Sequence, residues 1–367
     1  MKVLYISHLV EQSGWGKASR DILTAMDYAG INVVPRVVLA GGKTVELTQR
    51  QFDLINQSSK DCDVVIQHVL PHLYEYSGYF KKNIGMYYSE TGQLHHTSYY
   101  SYLNMMDELW VPSDIMIEQA QESEVHTPMY KIPHPFNTDI NPANYQKLPI
   151  AEVHNEFSFY YIGEATRRKN LSALIRAFHT EFSFNEPVQL VIKANRAGMP
   201  IEQCVQLVNE FAQAAKEHIK LYYNINTYKP EIIISKDMDD NEIYSLHKTC
   251  DCLVIPSCGE AINLPAMDAI LFGNKVVGTD KTGINEFVNH LDNGYLVESQ
   301  LQSCYGMTEG FQDMYTSRET CYSINEIDLR RGMRWAYENS KKHNVTPTPT
   351  LLDIGIKIKD RLNESIK

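Results

Sequence analysis

Short apolar runs alternate with stretches of helical periodicity along the whole chain. Val3–His8 reads as a first strand, and Ala18, Ile22, Ala25 and Ala29 then recur at helical spacing up to a stop at Gly30. Further strands are expected at Asn32–Val38, Val64–Gln67, Asn83–Tyr88 and Glu108–Val111. The proline-rich, non-periodic stretch from Pro133 through Pro149 marks a boundary. The alternation then restarts with a strand at Phe157–Ile162 and a helix at Leu171–Phe182, whose Leu171, Leu174, Ile175 and Phe178 share one face. Strands follow at Val188–Ala194, Leu221–Ile225, Ile232–Ser235, Cys252–Pro256 and Lys275–Gly278, with helices at Asp240–Lys248 and Leu351–Ile366. Strands alternating with helices predict parallel sheets covered by helices. The pattern therefore gives an α/β chain with domains at 1–150 and 151–345 and a C-terminal helix at 346–367. The two domains are doubly wound, with a cleft between them and ligands beyond the carboxyl ends of the strands.

Composition narrows the class without naming a substrate. A chain of 367 residues, 43% hydrophobic, can bury two domain-sized cores. It has no apolar run long enough for a transmembrane helix, and its first strand lacks the features of a signal peptide. Seven cysteines without a C-x-x-C pair indicate reduced thiols and a cytoplasmic protein. Cys250, Cys252 and Cys258 lie near His247, but their spacing fits no common zinc module, so no metal is expected. A formal charge of −11 argues against an unspecific polyanion-binding surface.

The densest chemistry lies in Glu260-Ala-Ile-Asn-Leu-Pro-Ala-Met-Asp268. It follows the strand Leu253-Val254-Ile255-Pro256 through Ser257-Cys258-Gly259 and runs into a short apolar helix that stops near Gly273. A strand feeding a helix start offers free backbone N–H groups and a positive dipole end, which suits a phosphate. Carboxylates on either side accept hydrogen bonds from sugar hydroxyls. Phosphate plus polyol suggests a nucleotide sugar. A second cluster, Gly163-Glu164-Ala165-Thr166-Arg167-Arg168-Lys169-Asn170, sits between a strand and a helix. Cations at a helix start oppose the dipole unless an anion binds there.

On these residues the chain resembles the retaining glycosyltransferases of family 4, and the resemblance covers almost its full length. That family has two facing Rossmann-like domains, the GT-B fold, with an interdomain cleft. Its paired-acid pattern is matched by Glu260 and by Asp268, where Glu is usual. The resemblance implies that Glu260 contacts the donor sugar and Asp268 the ribose, while Ala261, Ile262, Asn263 and Leu264 line the diphosphate. Ala261-Ile262-Asn263 replaces the usual Gly-Phe-Gly. Lys169 takes the family's Lys slot, but Glu164 stands where Arg is usual, so Arg168, or else Arg167, is expected to supply the second cation. The C-terminal helix is expected to pack back toward the N-terminal domain, and catalysis needs no metal.

The first domain is then the acceptor side. Gly14 and Gly16 resemble the family's glycine-rich turn near the donor, and Trp15 either stacks on the acceptor or caps the core. Glu90, at a strand end, is placed to orient or deprotonate an acceptor hydroxyl. His68 and His95 are further acceptor candidates. Nine aromatics between Leu70 and Tyr102, around Lys81 and Lys82, can stack sugars or nucleobases. The expected reaction is transfer from a UDP- or GDP-sugar to a glycan or glycolipid hydroxyl, in the cytoplasm or at the inner face of its membrane. A viral-type enzyme acting on hydroxymethylated DNA in a host cytoplasm, or a nucleotide-sugar epimerase, would use the same fold.

Overall fold

The computed structural model describes residues 1–39, 41–150, 156–307, 316–342 and 347–366. The chain divides into two compact units. One is built mainly from Met1–Thr138 with Pro347–Lys367, the other mainly from Asp139–Glu309 with Thr320–Thr346.

The first unit holds a six-stranded sheet of β1 (Lys2–Ser7), β2 (Asn32–Val37), β3 (Val64–His68), β4 (Lys82–Met86), β5 (Glu108–Val111) and β6 (Met129–Lys131). Their order is β2-β1-β3-β4-β5-β6, and every pairing is parallel. The strand order turns between β1 and β3, which opens a crevice at their carboxyl ends. The helix Gly14–Tyr28 follows β1 and buries Ala18, Ile22, Ala25 and Met26. The C-terminal helix Leu351–Ser365 lies in this unit against Gly14–Tyr28. At Gly355 a Cβ would stand 2.0 Å from the Ala25 carbonyl oxygen, so only glycine permits the approach. Arg361 fixes the helix further, with Nη2 2.7 Å from Glu108 Oε1 and its guanidinium over the Tyr130 ring.

The second unit repeats the plan with β7 (Phe157–Glu164), β8 (Val188–Asn195), β9 (Glu231–Ile234), β10 (Cys252–Ile255), β11 (Lys275–Thr279) and β12 (Gly294–Val297). The order is β12-β11-β10-β7-β8-β9, again all parallel, and it turns between β7 and β10. An antiparallel hairpin, β13 (Ser299–Ser303) and β14 (Thr320–Ile324), completes it. Phe159, Phe178, Leu190, Ile192 and Val254 belong to the core beneath one face of this sheet.

The α/β class, the two parallel sheets and the final helix agree with the sequence reading. One expected strand does not form. Leu221–Ile225 bends into a short 3-10 turn at Ile225–Thr227, leaving Leu221 and Tyr223 exposed. A local apolar run with no sheet edge to join gains nothing from strand geometry. The sequence reading also passed over the helices Ile201–Ile219 and Glu326–Glu338. The first buries Cys204, Val208, Ala212 and Ala215, a helical stripe of small residues with low apolar contrast.

Candidate active site

In the second unit, the two loops at the β7/β10 switch point are tied together by their backbones. Cys258 N donates to Arg168 O at 2.7 Å, and Asn170 Nδ2 donates to Pro256 O at 3.2 Å. Asn170 holds the left-handed conformation (φ 52°) that ends the first loop and starts the helix Leu171–Glu181. This arrangement brings Lys169 Nζ to 2.5 Å from Glu260 Oε1. Arg168 Nη1 donates to Gly259 O at 2.8 Å and lies 3.8 Å from Glu260 Oε2. Arg167 turns away, exposed, with its guanidinium 5.8 Å from the Tyr305 ring centroid. Glu164 stays on β7, where its carbonyl accepts from Tyr161 Oη at 2.7 Å. Of the cations in this loop, Lys169 and Arg168 therefore face Glu260.

Glu260 is buried. Burial alone would raise its pKa, but the charges of Lys169 and Arg168 and the hydrogen bond from Lys169 hold it below the ordinary carboxylate value. The corner is thus an ionised acid with two cations at the start of the helix Leu264–Leu271.

The backbone before that helix is shaped for an anion. Asn263 has φ 75°, a conformation glycine takes freely and asparagine tolerates, which accounts for Asn in place of the family's glycine. Its side chain caps the helix by accepting from Ala266 N at 3.0 Å. Among the described residues, the N–H groups of Ala261, Ile262, Asn263 and Leu264 have no protein acceptor. A residue the sequence reading missed braces this turn: Gly283 N donates to Glu260 O at 2.8 Å, and a Cβ on Gly283 would stand 1.8 Å from Ala261 O. Its signal was only a Thr-Gly step after a strand. Asp268 is buried on the same helix. The phenols of Tyr160 and Tyr145 are raised chiefly by burial, and the charge of Asp268 adds to both, so its carboxylate acts on that side of the helix.

The first unit presents a different surface at its β1/β3 switch point. Tyr5 of β1 bonds through Oη to His68 Nδ1 at 2.7 Å. His68, the last residue of β3, stacks on Tyr88 at 4.8 Å between ring centroids. Trp15 lies 5.7 Å from both rings and 6.0 Å from His8. Beside them Asp21 is met by Lys17 Nζ at 3.2 Å, Asn137 Nδ2 at 2.8 Å and His134 Nε2 at 3.4 Å. Burial, with the positive potential of His134 and His8, lowers the His68 pKa to about 3, so its ring is neutral. Burial pushes Asp21 up, but Lys17 and His134 outweigh it and bring the carboxyl to about 2.

The remaining candidates divide. Gly16 is a packing residue, because a Cβ there would lie 1.9 Å from Glu11 O, whereas Gly14 is exposed with open space around it. Glu90 is half-buried beyond β4, close enough to Tyr87 to act on its phenol. His95 is exposed on a short turn beside His96, with 3.9 Å between ring centroids. Among the aromatics from Leu70 to Tyr102, Tyr74, Tyr87, Tyr88 and Tyr99 are buried while Tyr76 and Tyr79 are exposed. Lys81 pairs with Asp63 at 2.8 Å, and Lys82 lies 3.6 Å from Glu108. The stretch is therefore core in part, with its cations engaged.

Comparison with known proteins bears on the family and the fold. Residues 146–326 match the family model described as glycosyl transferases group 1. No curated protein sequence matches the chain. Among solved structures it is similar to a sucrose-phosphate synthase from Thermosynechococcus elongatus, at 12% identity and a TM-score of 0.64 over 99% of both chains. It is also similar to Anabaena Alr3699/HepE in complex with UDP-glucose, at 13% identity and a TM-score of 0.61 over 99% of this chain and 100% of that one. A glycosyltransferase from Rickettsia africae gives 14% identity and a TM-score of 0.59 over 100% and 98%. At such identities the likenesses establish the fold. Among the described residues, no helix is long and apolar enough to cross a membrane. The chain thus matches the glycosyl transferases group 1 model through residues 146–326, and its two units have the two Rossmann-like sheets of the GT-B fold.

Proposed function

We propose that this protein is a retaining glycosyltransferase that moves a sugar from a nucleotide diphospho-sugar to an acceptor hydroxyl. The observation that carries the reading is the 2.5 Å contact of Lys169 Nζ with Glu260 Oε1 beside the N–H groups of residues 261–264, which meet no protein acceptor among the described residues. The diphosphate would sit on those N–H groups, with Lys169 and Arg168 as counter-charges and Glu260 accepting from the sugar's hydroxyls. Asp268 is the ribose contact in this scheme. HepE, a structural relative, is described in complex with UDP-glucose, which supports a nucleotide-sugar donor of that kind. The pyrimidine or purine choice between UDP and GDP is a matter for the assay.

In the reaction, the acceptor oxygen bonds to the anomeric carbon as the bond to the diphosphate oxygen breaks. The proton of the acceptor passes to the leaving diphosphate on the same face, which retains configuration. Negative charge grows on the diphosphate in the transition state, so fixed cations there lower the barrier. The first unit supplies the acceptor side, through the group around Trp15 and His68 and through Glu90. The seven buried free thiols fit a reducing, cytoplasmic setting.

The test is turnover with a panel of nucleotide sugars against glycan, lipid and hydroxymethylated-DNA acceptors. Lys169→Ala and Glu260→Ala are each expected to lower turnover by about a hundredfold, the scale of one lost transition-state contact. Near-normal turnover in both variants would remove the assignment. Conversion of the donor alone into a new nucleotide sugar would identify an epimerase instead.

A further inference from the structure

Sulfur gathers at one place in the second unit. Cys258, Cys304, Met307 and Cys321 form a buried cluster of their own, made of sulfur side chains alone. Gln302 of β13 brings Nε2 to two of them, 3.8 Å from Cys258 Sγ and 3.7 Å from Cys321 Sγ. Cys321 lies opposite Gln302 in the hairpin register, and its Sγ is 3.5 Å from Met307 Sδ. The backbone fixes the approach, because Tyr322 N donates to Cys258 O at 2.7 Å and so sets Cys321 alongside Cys258. The thiols of Cys258 and Cys304 both hydrogen-bond to Cys321. Among the described residues no group of three or more His, Cys, Asp or Glu could hold a metal ion, which leaves thiol chemistry for the cluster.

These thiols differ from others in the same unit. Burial pushes Cys250 and Cys252 up, which keeps them protonated and inert. Cys321 is lowered instead, by hydrogen bonds from the thiols of Cys258 and Cys304 and from Gln302, which outweigh its burial. A sulfur that accepts hydrogen bonds from its neighbours is held as thiolate, the form that reacts with oxidants. Cys258 beside it keeps 5% exposure, the most of the three cysteines. Hydrogen peroxide is little larger than water and needs no more than a local opening there.

We propose that Cys258 and Cys321 form a reversible disulfide that weakens the donor corner, with hydrogen peroxide as the oxidant. One thiolate of the pair displaces hydroxide from peroxide, which breaks the O–O bond and leaves a sulfenic acid. The sulfur of the second thiol then bonds to the first and displaces its oxygen as water. In balance, two thiols and one peroxide give one disulfide and two waters. In a reducing compartment such a disulfide is transient and acts as a sensor. Its reach into the site is short. Cys258 stands two residues before Glu260, and its N–H holds the Arg168 carbonyl. Joining the sulfurs draws Cys258 toward the hairpin, and with it the backbone that aims Arg168 and Lys169 at Glu260. The effect on the donor rests on the transferase reading, but the chemistry of the pair does not.

The experiment treats the reduced full-length protein with hydrogen peroxide, alkylates the remaining thiols and maps the peptides by mass spectrometry. A Cys258–Cys321 cross-linked peptide should form first, with two of the seven free thiols lost and both regained in dithiothreitol. Calorimetry with UDP and GDP should show the oxidised protein binding about tenfold more weakly, the scale of one hydrogen bond to a charged group, with full recovery on reduction. Cys321→Ser should bind nucleotide as the wild type does and keep that affinity in peroxide. Should that variant misfold, the wild-type map and titrations decide alone. The proposal is overturned if peroxide leaves Cys258 and Cys321 as thiols, or pairs either with a different cysteine. It is also overturned if the cross-link forms and nucleotide affinity stays the same. A protein that forms the cross-link but binds neither UDP nor GDP when reduced would strike the transferase reading and leave the disulfide standing. Nucleotide binding without the cross-link would strike this proposal alone.

Discussion

Each unit buries a tyrosine from the fourth residue of its first strand against a histidine, and the two pairs have different surroundings. In the second unit, Tyr160 Oη lies 2.6 Å from His247 Nδ1, and Asn274 Nδ2 closes the arrangement with bonds of 2.9 Å to Tyr160 Oη and 2.7 Å to His247 O. In the first, Tyr5 Oη also lies 3.3 Å from Ser19 O, and the His68 ring stacks on Tyr88 with Trp15 beside it. The histidines explain the contrast: His247 comes from a helix beside the sheet, His68 from the carboxyl end of a strand. The same pair is tied to Asn274 in one unit and lies among Trp15 and Tyr88 in the other. Ionic chemistry is divided in the opposite sense, since Lys169, Arg168 and Glu260 belong to the second unit.

This contrast can be broken at several strengths. The largest effect is expected at the charged corner, where Lys169→Ala removes the cation beside Glu260, the proposed counter-charge of a diphosphate, and should lower turnover about a hundredfold without a comparable loss of stability. Next comes the closed pair. Asn274→Ala leaves Tyr160 and the His247 carbonyl short of a donor in a buried site and should cost about 2 kcal/mol in urea unfolding. A cost below a few tenths would mean the pair is not fastened by Asn274.

A smaller, pH-dependent effect is expected at His68. Its folded pKa is lowered to about 3, against an ordinary value of about 6.5 in the unfolded chain. Between those values the unfolded chain binds a proton that the folded protein refuses. Stability is therefore full above pH ~6.5 and falls as pH drops through the window. His134, also lowered chiefly by burial, acts in the same direction. His68→Phe should flatten the fall in melting temperature between pH ~6.5 and ~4.5, and an unchanged slope would show that His68 titrates normally. The smallest effect is Tyr88→Phe, for which no change in melting temperature is expected.

Much of this organisation was legible in the sequence, and the exceptions have physical causes. β1, β3, β7 and β10 could be read because fully buried strands are short, continuous apolar runs between turn residues. The meeting of Lys169 with Glu260 could be anticipated because both are charged residues in loops that directly follow strands. Arg168 was expected ahead of Arg167, and the structure turns Arg168 toward Gly259 and Glu260 through the loop's bond to Cys258. Gly16 read as a ligand contact, yet the absent Cβ serves the Glu11 carbonyl. The grouping of Trp15, His68, Tyr88 and His134 joins four separated segments through tertiary packing. No local pattern could reveal it, although His68 and Trp15 were singled out one at a time.

The central claim is that a nucleotide diphosphate sits at the start of the helix Leu264–Leu271, held by Lys169. Calorimetric titration of UDP and GDP into the wild type and Lys169→Ala measures this directly. Saturable binding of at least one diphosphate by the wild type, weakened at least tenfold in the variant, is the predicted result. Equal affinity in both proteins, or no binding of either diphosphate to the wild type, would contradict it.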